Sequence, residues 1–275
     1  MAVEIVAIKT EDSVKRGKLI SLALLIALSV FVQTLIKNDN PTILRILITA
    51  GIYLLISFAG LVWAFNFQVK IKSLPFLLHS SLFVMSEYLF IQLFFVEKFS
   101  RIYEGIILLI LVILLFVSTY ISYLMANVFN VNLYKSIPLA NVGRTASHIV
   151  STLSIFFLTF SLLALQLPVY ILLPIELGIS FFFSYIHLKN LGFEGVLLSR
   201  KTVLVSLIVF FMFLGSFLSG ILHEVSALGP TVGYFIGIGV ANMKVIKPKF
   251  NIETLLYIFV LIAVIFLNFF LNILA

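Results

Sequence analysis

The sequence predicts an all-α integral membrane protein, a bundle of about nine transmembrane helices with a cytoplasmic N-terminus and an outside C-terminus. Of 275 residues, 62% are hydrophobic and only 11% are charged, and the mean hydropathy is +1.23. A soluble domain does not have this balance. Long apolar runs recur along the chain, and Lys and Arg fall almost entirely in every second linker between them. We therefore expect most of the surface to face lipid.

Nine runs are long enough to cross the roughly 30 Å hydrocarbon core as helices, which takes about 20 residues. They are continuously apolar rather than alternating with a period of two, so helices are favoured over barrel strands. Six of the seven prolines lie in linkers or at first turns, where a missing N–H group does no harm. The predicted segments are residues 19–36, 43–66, 75–96, 102–128, 145–166, 169–188, 202–222, 228–243 and 252–274.

The distribution of Lys and Arg predicts the orientation, because short cationic loops resist translocation. With the N-terminus inside, fourteen of the 18 cationic residues lie in cytoplasmic linkers. The outside set is Lys37, Arg45, Lys98 and Arg101, and the inside set is Lys9, Lys15, Arg16, Lys18, Lys70, Lys72, Lys135, Arg144, Lys189, Arg200, Lys201, Lys244, Lys247 and Lys249. We expect residues 1–18 to form a short cytoplasmic tail and residues 19–275 to form a single polytopic transmembrane domain.

Charge and cysteine content limit the classes of function and location. Basic loops beside anionic headgroups explain the net charge of +7, so we expect membrane lipids as partners and no nucleic acid. With no Cys, the chain has no disulfide, thiolate metal site or cysteine nucleophile. It also has no N-glycosylation acceptor, since Asn40 is followed by Pro41. We predict a multi-pass protein of the cell membrane, with a prokaryotic cytoplasmic membrane as the expected location.

Several membrane enzyme classes are excluded by missing residues. The topology resembles that of membrane prenyltransferases and intramembrane aspartyl proteases, but both families need paired aspartates. The chain has only Asp12 and Asp39, both outside the predicted helices. It also has no HExxH zinc motif and no GxSxG nucleophile motif. Its four histidines lie in four different segments, so we predict no metal site and no cofactor.

Two acidic residues are predicted at a depth where charge is costly. Glu87 lies twelve residues into the third segment and Glu176 about seven into the sixth, which is roughly 10 to 18 Å from a helix end at about 1.5 Å per residue. An ionised side chain there costs at least about 2.5 kcal/mol, and no Lys or Arg is predicted in a helix interior. We predict that at least one of the two is protonated at neutral pH. That chemistry suits a proton carrier or a cation ligand; the alternative is a neutral hydrogen-bond donor between helices.

The sixth segment also carries a polar stripe, within about a quarter turn at helical spacing. The stripe consists of Glu176, Ser180, Ser184 and His187. It would line a water path from mid-membrane towards the cytoplasm, and we predict a substrate-binding or ion-binding site built from it and Glu87. Pro174 frees the carbonyl of Tyr170, which favours a kink or break beside Glu176.

Two further groups of residues are candidates. A cytoplasmic polar cluster would offer donors to a headgroup or a soluble partner, with ordinary solvated loops as the alternative. This cluster consists of Arg144, His148, Asn190, Arg200 and Lys201. The eighth segment carries Gly229, Gly233 and Gly237 at four-residue spacing, a ridge that lets another helix approach closely. We predict a helix-packing face there; a flexible or broken helix lining a site is the alternative.

Three functions remain open on the sequence, and it does not decide whether the protein is an enzyme. The first is a small permease or carrier for a small solute or proton, with a proton-coupled or cation-coupled site near the membrane midplane. The second is a non-catalytic assembly or scaffold component that binds a membrane-protein partner or a second copy. The third is an enzyme acting on a lipid-linked substrate at the cytoplasmic interface. It would use His148 or His187 as general base and basic residues of the cytoplasmic polar cluster to hold a phosphate.

Overall fold

The computed structural model describes residues 2–35, 42–95, 101–132, 140–218 and 223–242, and every regular element in those ranges is helical. A 3₁₀ turn, Ile71–Ser73, precedes the third α-helix, and a π-helical turn, Ile91–Phe95, follows it. The α-helices are α1 (Ala2–Leu35), α2 (Ile43–Ala64), α3 (Leu74–Phe90), α4 (Arg101–Asn132), α5 (Ala140–Ala164), α6 (Val169–Asn190), α7 (Gly195–Leu218), α8 (His223–Ser226) and α9 (Leu228–Asn242).

Seven of the described helical stretches are long and apolar enough to cross a membrane. They are Val14–Leu35, Ile43–Ala64, Ile71–Phe94, Ile106–Val131, Val142–Ala164, Val169–Asn190 and Gly195–Leu218. The protein is therefore a helical multi-pass membrane protein. The eighth predicted segment corresponds to α9, which has 15 residues and is about 22 Å long at 1.5 Å per residue. The ninth predicted segment, residues 252–274, lies outside the described residues.

Helix ends differ from the predicted ones where the helix continues beyond the apolar run. Helix α1 begins at Ala2 rather than near residue 19, and α7 begins at Gly195 rather than near residue 202. Apolar periodicity marks only the part of a helix that faces lipid, whereas the backbone remains helical among charged residues. Helix α6 also runs unbroken through Pro174. Because Pro174 lies in the second turn, the helix loses a single backbone hydrogen bond near its end.

The chain divides into two compact units, residues 1–150 and 151–275. In the first unit, α1 packs against α2 and α4, and α3 packs against the same two helices. At one end of this unit the Lys18 ammonium donates to Asn66 Oδ1 at 2.5 Å, and it lies 4.8 Å from the centre of the Trp63 ring. Asn130 of α4 donates to the carbonyl of Gln68 at 3.1 Å. The start of the apolar part of α1, the α2–α3 linker and the end of α4 therefore meet at one end.

In the second unit, α7 packs against α6 on one side and α9 on another. Helix α9 runs antiparallel to α7: a Cβ atom added to Gly229 would lie 2.9 Å from the Met212 carbonyl oxygen, and one added to Gly237 would lie 3.0 Å from Val205. At the far end, the Lys201 ammonium donates to the carbonyl of Ala241. Helix α9 therefore lies along α7 for most of the length of α9, and its C-terminal end lies beside the start of α7.

Candidate functional site

Glu87 lies on α3 in the first unit and is 5% exposed. The hydroxyl of Ser118 on α4 donates to Glu87 Oε1, and Thr119 Oγ1 donates to Glu87 Oε2 at 3.1 Å. The single hydroxyl hydrogen of Ser118 has other acceptors, because Ser118 Oγ also lies 2.7 Å from the Leu114 carbonyl oxygen. Both carboxyl oxygens of Glu87 therefore have partners on the neighbouring helix.

Further buried polar contacts surround Glu87. The hydroxyls of Ser57 on α2 and Tyr123 on α4 are 2.8 Å apart. On α3, Ser80 donates to the Ser122 carbonyl at 2.8 Å, and its neighbour His79 is fully buried. The core between α2, α3 and α4 therefore contains a ladder of hydrogen bonds, which ties these helices together where apolar packing alone does not fix their register.

A second network in this unit was not singled out from the sequence. Gln33 of α1 donates to the Tyr88 hydroxyl at 2.8 Å and accepts a hydrogen bond from Tyr53 at 3.1 Å, and the two tyrosine rings lie 4.7 Å apart. The amide of Gln92, in the π-helical turn, donates to Thr34 at 3.3 Å. The sequence signal for this network was the presence of polar residues at the ends of apolar runs. Which of these residues pair with one another is seen only in the tertiary structure.

Glu176 lies on α6 in the second unit and is fully buried. Thr159 Oγ1 of α5 donates to Glu176 Oε1 at 2.9 Å. The other oxygen, Oε2, has no hydrogen-bond partner in the part of the chain that the structure describes. Glu176 therefore differs from Glu87, since it retains an acceptor that the neighbouring helices leave unsatisfied.

The polar stripe of α6 is buried along its whole length. Ser180 and Ser184 are fully buried and His187 is 2% exposed. Ser180 donates to the carbonyl of Glu176 at 2.6 Å, whereas Ser184 Oγ has no hydrogen-bond partner among the described residues. The ring of His187 meets the ring of Tyr234 of α9 edge to face, with 6.3 Å between ring centres. The structure thus adds Tyr234, a residue that sequence reasoning did not place beside this stripe.

A buried hydroxyl face on α5 accompanies the stripe. Ser151, Ser154 and Thr159 are all fully buried. Thr159 donates to Glu176 near one end of this face. The second unit therefore carries polar side chains on α5, α6 and α9 around the same buried length.

The residues of the cytoplasmic polar cluster fall in both units. Arg144 and His148 belong to the first unit, and the other members belong to the second. The Lys201 ammonium lies 3.8 Å from the centre of the Phe193 ring in addition to its contact with the Ala241 carbonyl. The contact with Ala241 places the Lys201 ammonium at the C-terminal end of α9, where a cation is favourable. Arg200 is exposed and Asn190 is buried.

The three glycines of α9 lie against α7 of the same chain. A Cβ atom added to Gly233 would lie 3.0 Å from Met212 Cβ and 3.2 Å from Val209 Cα. The glycine ridge therefore allows close approach within the molecule. All three glycines are buried, as close packing of α9 against α7 requires.

The described residues contain no group of three or more His, Asp or Glu side chains able to hold a metal ion. Glu87 and Glu176 lie in different units; two hydroxyl groups of α4 donate to Glu87, and one hydroxyl group of α5 donates to Glu176. A buried carboxyl with hydroxyl partners can gain and lose a proton, or bind a small cation through oxygen atoms.

Comparison of the chain with protein-family models, with curated proteins and with solved structures finds no match. The assignment of function therefore depends on the geometry around the two buried carboxyl groups.

Proposed function

We propose that the protein is a small carrier in which Glu176 takes up a proton or a small cation as part of transport. The observation that carries this proposal is the unequal environment of the two Glu176 oxygens. Oε1 accepts a hydrogen bond from Thr159 at 2.9 Å, while Oε2 is buried without a partner among the described residues. An unsatisfied buried acceptor in a membrane helix is costly, and such residues commonly mark ion or substrate pathways.

Among the residues that the structure describes, the helices around Glu176 supply no neutralising charge at its depth. The part of α5 in the second unit and all of α9 contain no Lys or Arg, and α7 has only Arg200 and Lys201, near its start. Lys201 is engaged at the end of α9. With no cationic side chain from these described helices at its depth, we expect Glu176 to be neutralised by a proton or a cation from solution, which is what a coupled carrier needs.

We also propose a membrane and an orientation for the carrier. We place the protein in the cell membrane of a prokaryote, as a single polytopic domain of nine crossings with the N-terminus inside. The contacts of Lys18 and Asn130 with the α2–α3 linker support this arrangement, because they bring basic linkers to one end of the first unit. The positions of α7 and α9 support an eighth crossing, since their far ends meet at Lys201.

The test is a flux measurement on the purified chain in liposomes that contain a pH-sensitive dye. A pH gradient is imposed, and a panel of Na⁺, K⁺, amino acids, sugars and organic anions is added to the outside. We expect at least one solute to accelerate the collapse of the gradient. Glu176→Gln should abolish that acceleration, because an amide neither binds a proton at neutral pH nor carries a charge for a cation.

Glu194→Gln is the matched control, because Glu194 is exposed in the α6–α7 linker. It should leave the flux unchanged. A flux that persists in Glu176→Gln at the wild-type rate would show that this carboxyl is not the coupling site. No acceleration by any solute in the wild-type protein would count against a carrier coupled to these substrates.

A further inference from the structure

Two buried oxygen atoms on one face of α6 lack hydrogen-bond partners in the described part of the chain. They are Glu176 Oε2 and Ser184 Oγ. Eight residues separate them, which is about 12 Å along the helix axis at 1.5 Å per residue. Buried polar atoms in proteins nearly always have a partner, counting ordered water. Two such atoms on the same face are candidate positions for ordered water.

The residues between and beyond these atoms continue the same face. Ser180 lies between them, and His187 follows Ser184, three residues before the end of α6 at Asn190. The side chain of His187 is 2% exposed, and the Tyr234 ring of α9 meets its ring edge to face. The face therefore approaches one end of the helix and is covered there by a side chain of α9.

A proton path along this face needs bridging water, because the hydroxyl groups are too far apart for direct contact. Successive members are three or four residues apart, which is about 4.5 to 6 Å along the axis, whereas an O–H···O hydrogen bond spans about 2.7 to 2.8 Å. One bridging water per interval completes such a chain at little entropic cost.

The ionisable groups on the packed helices are few. The stretch of α5 from Ser151 to Ala164 has none, α9 has only Tyr234, and α7 has Arg200 and Lys201 near the His187 end of α6. On α6 itself, Tyr170, Tyr185 and Lys189 are at least partly exposed, so Glu176 and His187 are its fully buried ionisable groups. In α8, the chain also carries His223 and Glu224, at the end of α7 opposite Lys201.

We propose that the α6 face from His187 to Glu176 is a hydrated proton path that opens at the His187 end and is closed there by Tyr234. This proposal rests on the proposed carrier function and names the proton as the coupled ion. A hydronium ion at the mouth gives a proton to a water beside Ser184. Each water accepts one proton and releases another, and the last O–H bond forms on Glu176 Oε2. On the proposed orientation the mouth is cytoplasmic.

The test is the rate of hydrogen–deuterium exchange at the Glu176 carboxyl. It is followed by infrared spectroscopy of the full chain in lipid bilayers at acidic pH, where the group carries a proton. The C=O band is assigned by its loss in Glu176→Gln. Ser184→Leu fills the path, and we expect exchange to slow by at least about ten-fold, which is about 1.4 kcal/mol of barrier. Ser184→Ala leaves the path open and should exchange at close to the wild-type rate.

Ser206→Leu is the matched control, because Ser206 is a buried serine of α7 whose hydroxyl bonds to its own helix at 2.7 Å. It should not slow exchange. If Ser184→Leu does not fold, Ser184→Cys can be purified and then modified with a bulky thiol reagent, since the chain has no Cys of its own. Tyr234→Leu should act in the opposite direction and accelerate exchange.

Exchange at the wild-type rate in Ser184→Leu, or in the modified cysteine variant, would overturn the path. So would slowing of equal size in Ser206→Leu, which would indicate a general effect of overpacking. The outcome is separable from that of the flux experiment. A protein that exchanges quickly through the path while Glu176→Gln retains full solute flux would keep the path and reject the coupled carrier.

Discussion

Glu87 and Glu176 are the same type of side chain, but the hydroxyl groups around them differ, and we expect different roles for them. Ser118 and Thr119 occupy both oxygens of Glu87, whereas Thr159 occupies only one oxygen of Glu176. A Glu87 that carries a proton can donate to Ser118, which then donates to the Leu114 carbonyl 2.7 Å away. Every polar atom in that arrangement is satisfied, so we expect Glu87 to act as a hydrogen-bonded tie between α3 and α4.

This role predicts different costs for two substitutions of Glu87. Glu87→Gln retains an acceptor for Thr119 and supplies a donor for Ser118, so we expect stability to change by no more than about 0.6 kcal/mol, the average for a membrane hydrogen bond. Glu87→Ala leaves the Thr119 hydroxyl unsatisfied and should cost about 1–3 kcal/mol. Denaturant titration of the protein in bicelles measures both. Equal destabilisation by the two variants would contradict the tie and favour an ionised role.

At the scale of helices, the apolar runs were predictable because lipid imposes a length and a composition on every crossing segment. Helices α2, α6 and α9 begin where the runs begin, at Ile43, Val169 and Leu228. The charged start of α1 was not predictable in this way, because a helix can continue in water beyond the apolar run, and no apolar pattern then marks where it begins. The stripe from Glu176 to His187 followed from helical spacing alone. The contacts of this stripe with Thr159 and Tyr234 could not be predicted, because the periodicity of α6 does not show which helices pack against it or at what depth.

Alanine is expected to have opposite effects at two glycines, one of which packs against α7 while the other meets nothing within 4 Å. Gly233→Ala places a Cβ atom 3.0 Å from Met212 Cβ and 3.2 Å from Val209 Cα. These atoms are backbone or attached directly to it, so α7 must shift by a few tenths of an ångström, and we expect a loss of about 1–3 kcal/mol. Gly178→Ala on α6 meets nothing within 4 Å and should stabilise by up to about 1 kcal/mol, because alanine has less freedom to lose.

Thermal unfolding of the two variants in the same detergent provides the comparison. A stabilised Gly233→Ala would show that α9 does not depend on close approach to α7. In that case the glycines would be better explained as a flexible segment.

At the scale of the whole molecule, each unit contains a buried glutamate, a buried histidine on the same helix and a buried tyrosine on another. The first unit has Glu87 and His79 on α3, and the second has Glu176 and His187 on α6. The histidine precedes the glutamate in α3 and follows it in α6. Because the order is reversed along the chain, these two sets of residues do not form a direct sequence repeat.

That topology predicts which helix ends face the outside, and the lack of native Cys makes the measurement direct. Single cysteines at the exposed positions Thr42 and Gln166 should react in intact cells with a membrane-impermeant thiol reagent. Cysteines at the exposed positions Gln68, Ser199 and Asn242 should react only after the membrane is permeabilised.

Position 242 carries the most information, because the contact between Lys201 and Ala241 places the end of α9 beside the start of α7. Labelling of Asn242→Cys together with Ser199→Cys means that α9 crosses back to the cytoplasmic side, whereas labelling together with Gln166→Cys would mean that it does not. A fully reversed pattern at the other four positions would reject the orientation that the cationic linkers predict.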